Sequence, residues 1–231
     1  MSKMIISCEH GGFEIPTNYE PLFQGAEEVL KSHRGWDKGA LEIANYLHKR
    51  SGQPLFSNTI SRLLIEFNRS LEHNELFSEF SKKLTSQEQQ QLIDELYIPY
   101  RSQLAQKIEH YLEQDEKVIH LSIHSFTPIL NGEVRKTEIG ILFDPDRTLE
   151  AEYALKWQKN ILKNIDIWRV KFNYPYLGID DGLTTYFRKQ YPLNYAGIEL
   201  EVNTKLLDCY PIPHISNWLF PPMNKVNKLN K

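Results

Sequence analysis

Apolar residues come in short runs that stop at polar or glycine-rich clusters. The first run, MIISC at residues 4–8, ends against Glu9, His10, Gly11 and Gly12. An apolar run of that length closed by glycine predicts a buried strand. Residues 37–50, DKGALEIANYLHKR, set Ala40, Ile43, Ala44 and Leu47 on one helical stripe, with basic residues near its end. QPLFSN and SRLLIEFN predict two further extended segments. Residues 84–114 carry Leu92, Leu96, Leu104, Ile108 and Leu112 near helical spacing. Pro99 falls inside that stretch and predicts two helices or one kinked helix. In KVIHLSIHSF, Ile119, Leu121 and Ile123 alternate with His120, Ser122 and His124, the period of a strand. TEIGILFD predicts another strand, and TLEAEYALKWQKNILKN an amphipathic helix. IWRVKFN and YAGIELEVN are late strands, separated by a loop and a helix around DGLTTYFRKQ.

Strands and helices alternate along the whole length. That pattern predicts an α/β fold: a single three-layer domain over residues 1–231, with a mixed, largely parallel central sheet and helices on both faces. No linker or repeat interrupts it. The end of the chain, MNKVNKLNK, reads as a frayed tail from about residue 221.

Composition narrows the function classes. The chain has 231 residues, 41% of them apolar, enough for one domain to bury roughly 70–75% of its unfolded surface. A net charge of −3 with interspersed signs argues against a nucleic-acid partner. No window approaches the ~18 apolar residues of a membrane span, and the start lacks the pattern of a signal peptide. Only Cys8 and Cys209 are present, which fits a reducing cytoplasm rather than a disulfide scaffold. Cys8, inside the first apolar run, reads as a buried structural thiol.

Polar clusters follow the strands: CEHGG, EFNR, HSFTP and ELEVN. Open α/β sheets keep their ligands at such strand ends. His10 and His124 offer two imidazoles. Asp37, before the first helix, offers a carboxylate or a helix cap. Together they match the ligand set of a catalytic zinc, which leaves a position open for water. His33, His73 and His120 are alternative donors. Arg69, beside Asn68 after an apolar segment, calls for an anion, and its planar fork suits a carboxylate. Arg62, at the other end of that segment, either binds substrate or pairs with an acidic side chain. Glu199 and Glu201 share one strand face, where two carboxylates repel unless a cation or proton relieves them.

Six segments together resemble the N-formylglutamate amidohydrolase family: CEHGGFEIP, HRGWDKGALEIA, SRLLIEFNR, IHLSIHSFTPILNGEVRKTEIGILFD, NYPYLGIDDGLTTY and ELEVN, spread from about residue 7 to 203. The family is similar in fold to zinc carboxypeptidases and to aspartoacylase-type deacylases. The resemblance implies Zn2+ held by His10, Asp37 and His124, with Glu14 as the alternative acidic ligand because Phe13 stands where the carboxypeptidase motif has its acid. It implies a substrate carboxylate on Asn68 and Arg69, with Arg62 and Tyr176 as further substrate contacts. Glu201 is then the general base, ahead of Glu199. Arg135 is a candidate cation for the oxyanion, with a salt-bridge role as the alternative. The glycine pair would let the backbone pass close to metal and substrate. The implied reaction is cleavage of the N-acyl amide of an amino acid such as N-formylglutamate by metal-activated water. The implied substrate is a small N-acyl amino acid or a short peptide-like molecule. The alternatives are a carboxypeptidase-like or other N-acyl-amino-acid deacylase and, in another class, a catalytically silent small-molecule binding protein.

Overall fold

A computed structural model describes residues 2–223. The tail expected from about residue 221 lies mostly outside the described residues. In chain order, β1 (Ser2–Cys8) leads through a 3-10 turn (Thr17–Phe23) and the short α1 (Glu27–Leu30) to α2 (Ala40–Ser51) and β2 (Leu55–Ser57). A long excursion follows, ending in α3 (Ser86–Leu92), a wide π turn (Ile93–Tyr97) and α4 (Ile98–Leu112). Next come β3 (Lys117–Phe126), a small hairpin of β4 (Ile129–Leu130) and β5 (Glu133–Val134), and β6 (Ile139–Leu142). The chain closes with α5 (Thr148–Asn164), β7 (Val170–Phe172), α6 (Leu183–Gln190), β8 (Tyr195–Asn203), α7 (Lys205–Cys209) and α8 (Ile212–Trp218).

Six strands form one sheet in the order β2-β1-β3-β8-β6-β7. Every neighbouring pair is parallel except β6 with β8. The mixed, largely parallel sheet and the helices on both faces agree with the alternation in the sequence. On one face Ile6, Leu121, Ile123, Ile198 and Leu200 meet Ala40, Ile43, Ala44 and Leu47 of α2 and Trp157 of α5. On the other, Ile5, Val118 and Tyr195 meet Leu104 and Ile108 of α4 and Phe187 of α6. The expected alternation in β3 therefore holds, with both faces buried. Each fully buried Ile, Leu or Phe contributes about 1.5–3 kcal/mol, and this clamps the sheet between its two helical layers.

Two sequence expectations are refined here. Within residues 84–114, residues 86–112 form one continuous helical rod whose π turn widens the backbone just before Pro99. The Ile98 N–H reaches the Ile93 carbonyl, five residues back. The wider turn relieves the clash a proline ring makes with the preceding turn. SRLLIEFN is buried but is not a strand. Leu63, Leu64, Ile65 and Phe67 pack with Phe23, Leu76, Leu92 and Tyr97 in a separate apolar cluster. The backbone there turns, with Leu64 N–H on Ser61 O, and Glu66 N–H reaches across to Leu76 O, both at 2.9 Å. Burial on all sides produces a continuous apolar run just as a central strand does.

The glycine pair also has a different cause from the one expected. A Cβ on Gly12 would lie 2.5 Å from the Thr59 carbonyl oxygen, and one on Gly11 2.8 Å from that of Asn58. The Gly11 N–H donates to Asn58 O at 2.9 Å. Glycine is needed because two backbone segments pass at contact, and that packing fixes where His10 sits. Gly12→Ala should therefore destabilise even the metal-free protein, by about 1–3 kcal/mol as for other overpacked sites. Denaturant unfolding after chelation reads this directly. Unchanged stability would mean the pair serves a ligand only.

Candidate functional site

The C-terminal ends of β1, β3 and β8 lie side by side, and the ladder sets their side chains in register. Ser122 pairs with Glu199 and His124 with Glu201 across β3 and β8. These residues therefore share one sheet face. His10 follows the end of β1. Asp37 comes from the loop before α2, where its N–H donates to the His10 carbonyl at 2.9 Å. Its carboxylate thereby arrives beside both imidazoles. Nδ1 of His124 lies 2.9 Å from Asp37 Oδ2, and Nδ1 of His10 lies 3.4 Å from the same oxygen. One ligand atom from each of the three residues falls within 4.8 Å of the others. All three residues are buried.

Each imidazole is held from behind. His10 Nε2 bonds Glu66, and His124 Nε2 faces Glu9 Oε2 at 3.1 Å. Ser122 donates to Glu9 and lies 2.8 Å from His124 Nε2, and Tyr100 donates to the other Glu9 oxygen at 2.9 Å. A carboxylate on Nε2 fixes the ring and directs Nδ1 into the site, the arrangement that supports metal-ligating histidines. Arg62 completes the chain: Nε donates to Glu66 Oε2 at 2.7 Å, and a terminal nitrogen lies 3.5 Å from Asp37 Oδ1. Of the two roles open to Arg62, pairing with acidic groups is the one its contacts display.

Burial and charge set the protonation states. Burial works against ionisation of Asp37, but His10 and His124 hold its carboxyl well below the usual range. Burial likewise opposes, and His124 and Ser122 overcome it for, a low Glu9 value; Arg62 and His10 do the same for Glu66. Despite burial, the surrounding carboxylates keep both His10 and His124 above the ordinary imidazole range. A cation entering this cage must displace a proton, so its affinity rises with pH. His120 differs: burial lowers it to about 4, and it sits between the Ser7 and Tyr195 hydroxyls at 2.7 Å each. It belongs to the core.

The cluster opens into a cleft of about 140 Å³ lined by Arg62, Asn68, Arg69, Tyr176, Asp180, Asp181, Glu199 and Glu201 as well as the three central residues. Asn68 Oδ1 accepts from the Leu183 N–H at 2.7 Å, at the start of α6. Arg69 donates to the Asp181 carbonyl. Glu199 accepts from Thr184 Oγ1 at 2.6 Å. One Glu201 oxygen is buried with no hydrogen-bond partner. Glu14 is elsewhere, exposed and accepting from Thr59 Oγ1 at 2.7 Å. Arg135 stands behind Tyr176, 3.4 Å from its hydroxyl and outside the cleft wall.

Sequence reasoning missed Glu9, Glu66, Ser122 and Tyr100. Glu9 and Glu66 did leave a signal: each is a lone acid beside or within an apolar run.

The chain matches the N-formylglutamate amidohydrolase family over residues 2–207. It belongs to that family. Its members hydrolyse amide C–N bonds. A gene product of Agrobacterium tumefaciens is similar in structure, with a TM-score of 0.80 and 26% identity over 95% of this chain and 88% of its own. An N-formylglutamate amidohydrolase from Ralstonia eutropha JMP134 shares the fold at a TM-score of 0.68 and 17% identity, over 95% of this chain and 93% of its own. No curated protein matches significantly. Among the described residues no helix is long and apolar enough to cross a membrane.

Glu201 has a consequence measurable without substrate. Burial, with Asp37 and Glu199 adding to it against His124 and Arg62, raises its carboxyl from 4.5 to about 8. The folded metal-free protein then keeps a proton that the unfolded chain releases. The associated stability is full below the unfolded value and is lost as pH rises through about 8. Glu201→Gln, without metal, should match wild type near pH ~5 and exceed it by roughly a few kcal/mol near pH ~9. Denaturation curves at both pH values test this. An equal difference at both would show that Glu201 is not desolvated.

Proposed function

We propose that this chain is a zinc-dependent amidohydrolase that removes the N-acyl group, N-formyl in the simplest case, from a small N-acyl amino acid. One observation carries the reading: a single cleft gathers His10, Asp37 and His124 with Glu201 and Arg69. The donor set fits zinc. Two imidazoles and a carboxylate are a catalytic set, and His10, Asp37 and His124, which would hold the metal, each offer one donor atom within 4.8 Å of the others. Bound there, the metal would supply Lewis-acid polarisation of the amide carbonyl and a water of lowered pKa.

The chain's own residues supply the rest. Asn68 accepts from Leu183 N–H through its oxygen, and its amide N–H groups have no acceptor among the described residues. Arg69 gives one terminal nitrogen to the Asp181 carbonyl and has no carboxylate in ion-pair distance among the described residues, so its remaining N–H groups are available to the substrate carboxylate. Anchored there, the substrate brings its amide carbonyl towards the imidazole cage. Glu201 accepts a proton from the attacking water and returns it to the leaving nitrogen. Its unpartnered oxygen and the neutralising effect of a cation nearby suit it to that exchange. Glu199, engaged by Thr184, positions the wall beside it. Tyr176 lines the mouth, with Arg135 behind it. The products are a small carboxylic acid and a free amino acid. The two free cysteines favour a reducing cytoplasm.

A steady-state assay of zinc-loaded protein on N-formyl, N-acetyl and N-succinyl amino acids tests the activity and names the acyl group. Glu201→Gln should keep its zinc while turnover falls by about 10²–10⁴-fold, and Glu199→Gln should lose less. A large loss in Glu199→Gln with near-normal Glu201→Gln would reverse the assignment. Hydrolysis of no member of the panel would leave the silent binding protein as the better reading.

A further inference from the structure

Helix α4 reaches the cleft from behind. Tyr97 closes the π turn, and Arg101 stands one helical turn further on, on the same face. From that face Nη2 of Arg101 donates to the Phe67 carbonyl at 3.2 Å and to the Arg69 carbonyl at 2.6 Å. The Tyr97 hydroxyl donates to the same Arg69 carbonyl, also at 2.6 Å. These two carbonyls bracket Asn68 and Arg69. The guanidinium lies over two rings, 4.4 Å from the centre of Tyr97 and 4.8 Å from that of Tyr186. Arg101 is only 5% exposed, and its Nε and Nη1 are buried without a hydrogen-bond partner. It forms no ion pair among the described residues. Burial works against its charge, while Tyr97, Tyr186, Glu9 and Asp181 favour it. A buried cation without a paired carboxylate is costly. What the charge accomplishes here is a charge-assisted hold on the main chain around Asn68 and Arg69.

We propose that Arg101, backed by Tyr97, is a positioning residue that sets Asn68 and Arg69 for the substrate carboxylate, which rests on the reading above that this pair binds it. Arg101 does not line the cleft, so it acts through the pair and not on the substrate. The pair sits on a loop, and a loop needs an external hold to keep a fixed distance from the imidazole cage. That distance matters, because a misplacement of ~1 Å in an anchored substrate costs on the order of 10²-fold in rate. The same helix supplies the reference. Tyr100, one residue before Arg101, donates to Glu9 at 2.9 Å, and Glu9 faces His124 at 3.1 Å. One helix therefore grips the carboxylate-binding pair through Tyr97 and Arg101 and the cage through Tyr100. Asp181 closes the hold from the other side, its carbonyl accepting from the Arg69 side chain and its Oδ2 from the Ser70 N–H at 2.9 Å.

The test measures kcat and KM of the zinc-loaded protein for N-formyl-L-glutamate, its α-amide and its γ-amide. Amidation of the carboxylate that Arg69 holds should carry a penalty in wild type, and Arg69→Met should erase that penalty and so identify the carboxylate. Arg101→Met, folded by circular dichroism and with its zinc retained, should raise KM for N-formyl-L-glutamate by about 10–100-fold, change kcat less, and shrink the same penalty. Arg101→Lys should recover part of the loss. Tyr97→Phe removes one hydroxyl and should act in the same direction by roughly several-fold; it decides the matter if Arg101→Met does not fold. A penalty kept in Arg101→Met, or in Tyr97→Phe where that variant decides, but erased in Arg69→Met overturns this proposal alone. Equal losses on all three compounds, or lost zinc, would show a merely structural role and overturn it too. A penalty untouched by Arg69→Met overturns the reading of the pair and this proposal with it. If nothing is hydrolysed, calorimetric dissociation constants of the three compounds are judged in the same way, and the absence of binding overturns both.

Discussion

Asp37 is the group on which the cleft depends. Its carboxylate is buried between two imidazoles and an arginine, and a buried charge is tolerated only when its partners are close and well directed. The requirement spreads outward. His124 needs Glu9, His10 needs Glu66, and those acids in turn need Ser122, Tyr100 and Arg62. The result is a chain of alternating charge threaded through the strand ends. Removing one member leaves another buried and unpaired, so the set holds its geometry cooperatively.

The sheet gives that chain its frame. Parallel pairing of β1, β3 and β8 brings three strand ends to one edge, and their register aligns His124 with Glu201. The antiparallel β6 beside β8 brings Gly140 opposite Glu201, where the Tyr174 carbonyl packs too closely for any side chain. The separate apolar cluster under residues 61–67 has its own part. It carries Arg62, Glu66, Asn68 and Arg69 to the cleft on turns that a strand could not make. The fold therefore delivers the cage and the Asn68–Arg69 pair on two different supports, one sheet and one buried loop.

How far this was readable in the sequence follows from the same physics. His10 and His124 stood out because polar residues directly after apolar runs mark strand ends. Glu199 and Glu201 stood out because strand parity puts them on one face. Asp37 carried a plain alternative as a helix cap, and only its contacts with residues 27 and 87 positions away show its place. Glu9 and Glu66 were unreadable in role, because a buried acid declares its purpose through a partner distant in sequence. The segment around Leu64 was misread as a strand because continuous burial erases the periodicity that distinguishes strand from turn. The glycine pair suggested a ligand, but the backbone at Asn58 and Thr59 is what needs the space.

The central claim is that Glu9 and Glu66 preorganise His10 and His124 around Asp37 for one metal ion. Competition titration of zinc against a chelator, on metal-free protein, measures this without any substrate. Wild type should bind one zinc per chain, and Glu9→Gln and Glu66→Gln, each folded by circular dichroism, should bind it about 10–100-fold more weakly. Absence of stoichiometric zinc binding by wild type, or unaltered affinity in both folded variants, would contradict the account.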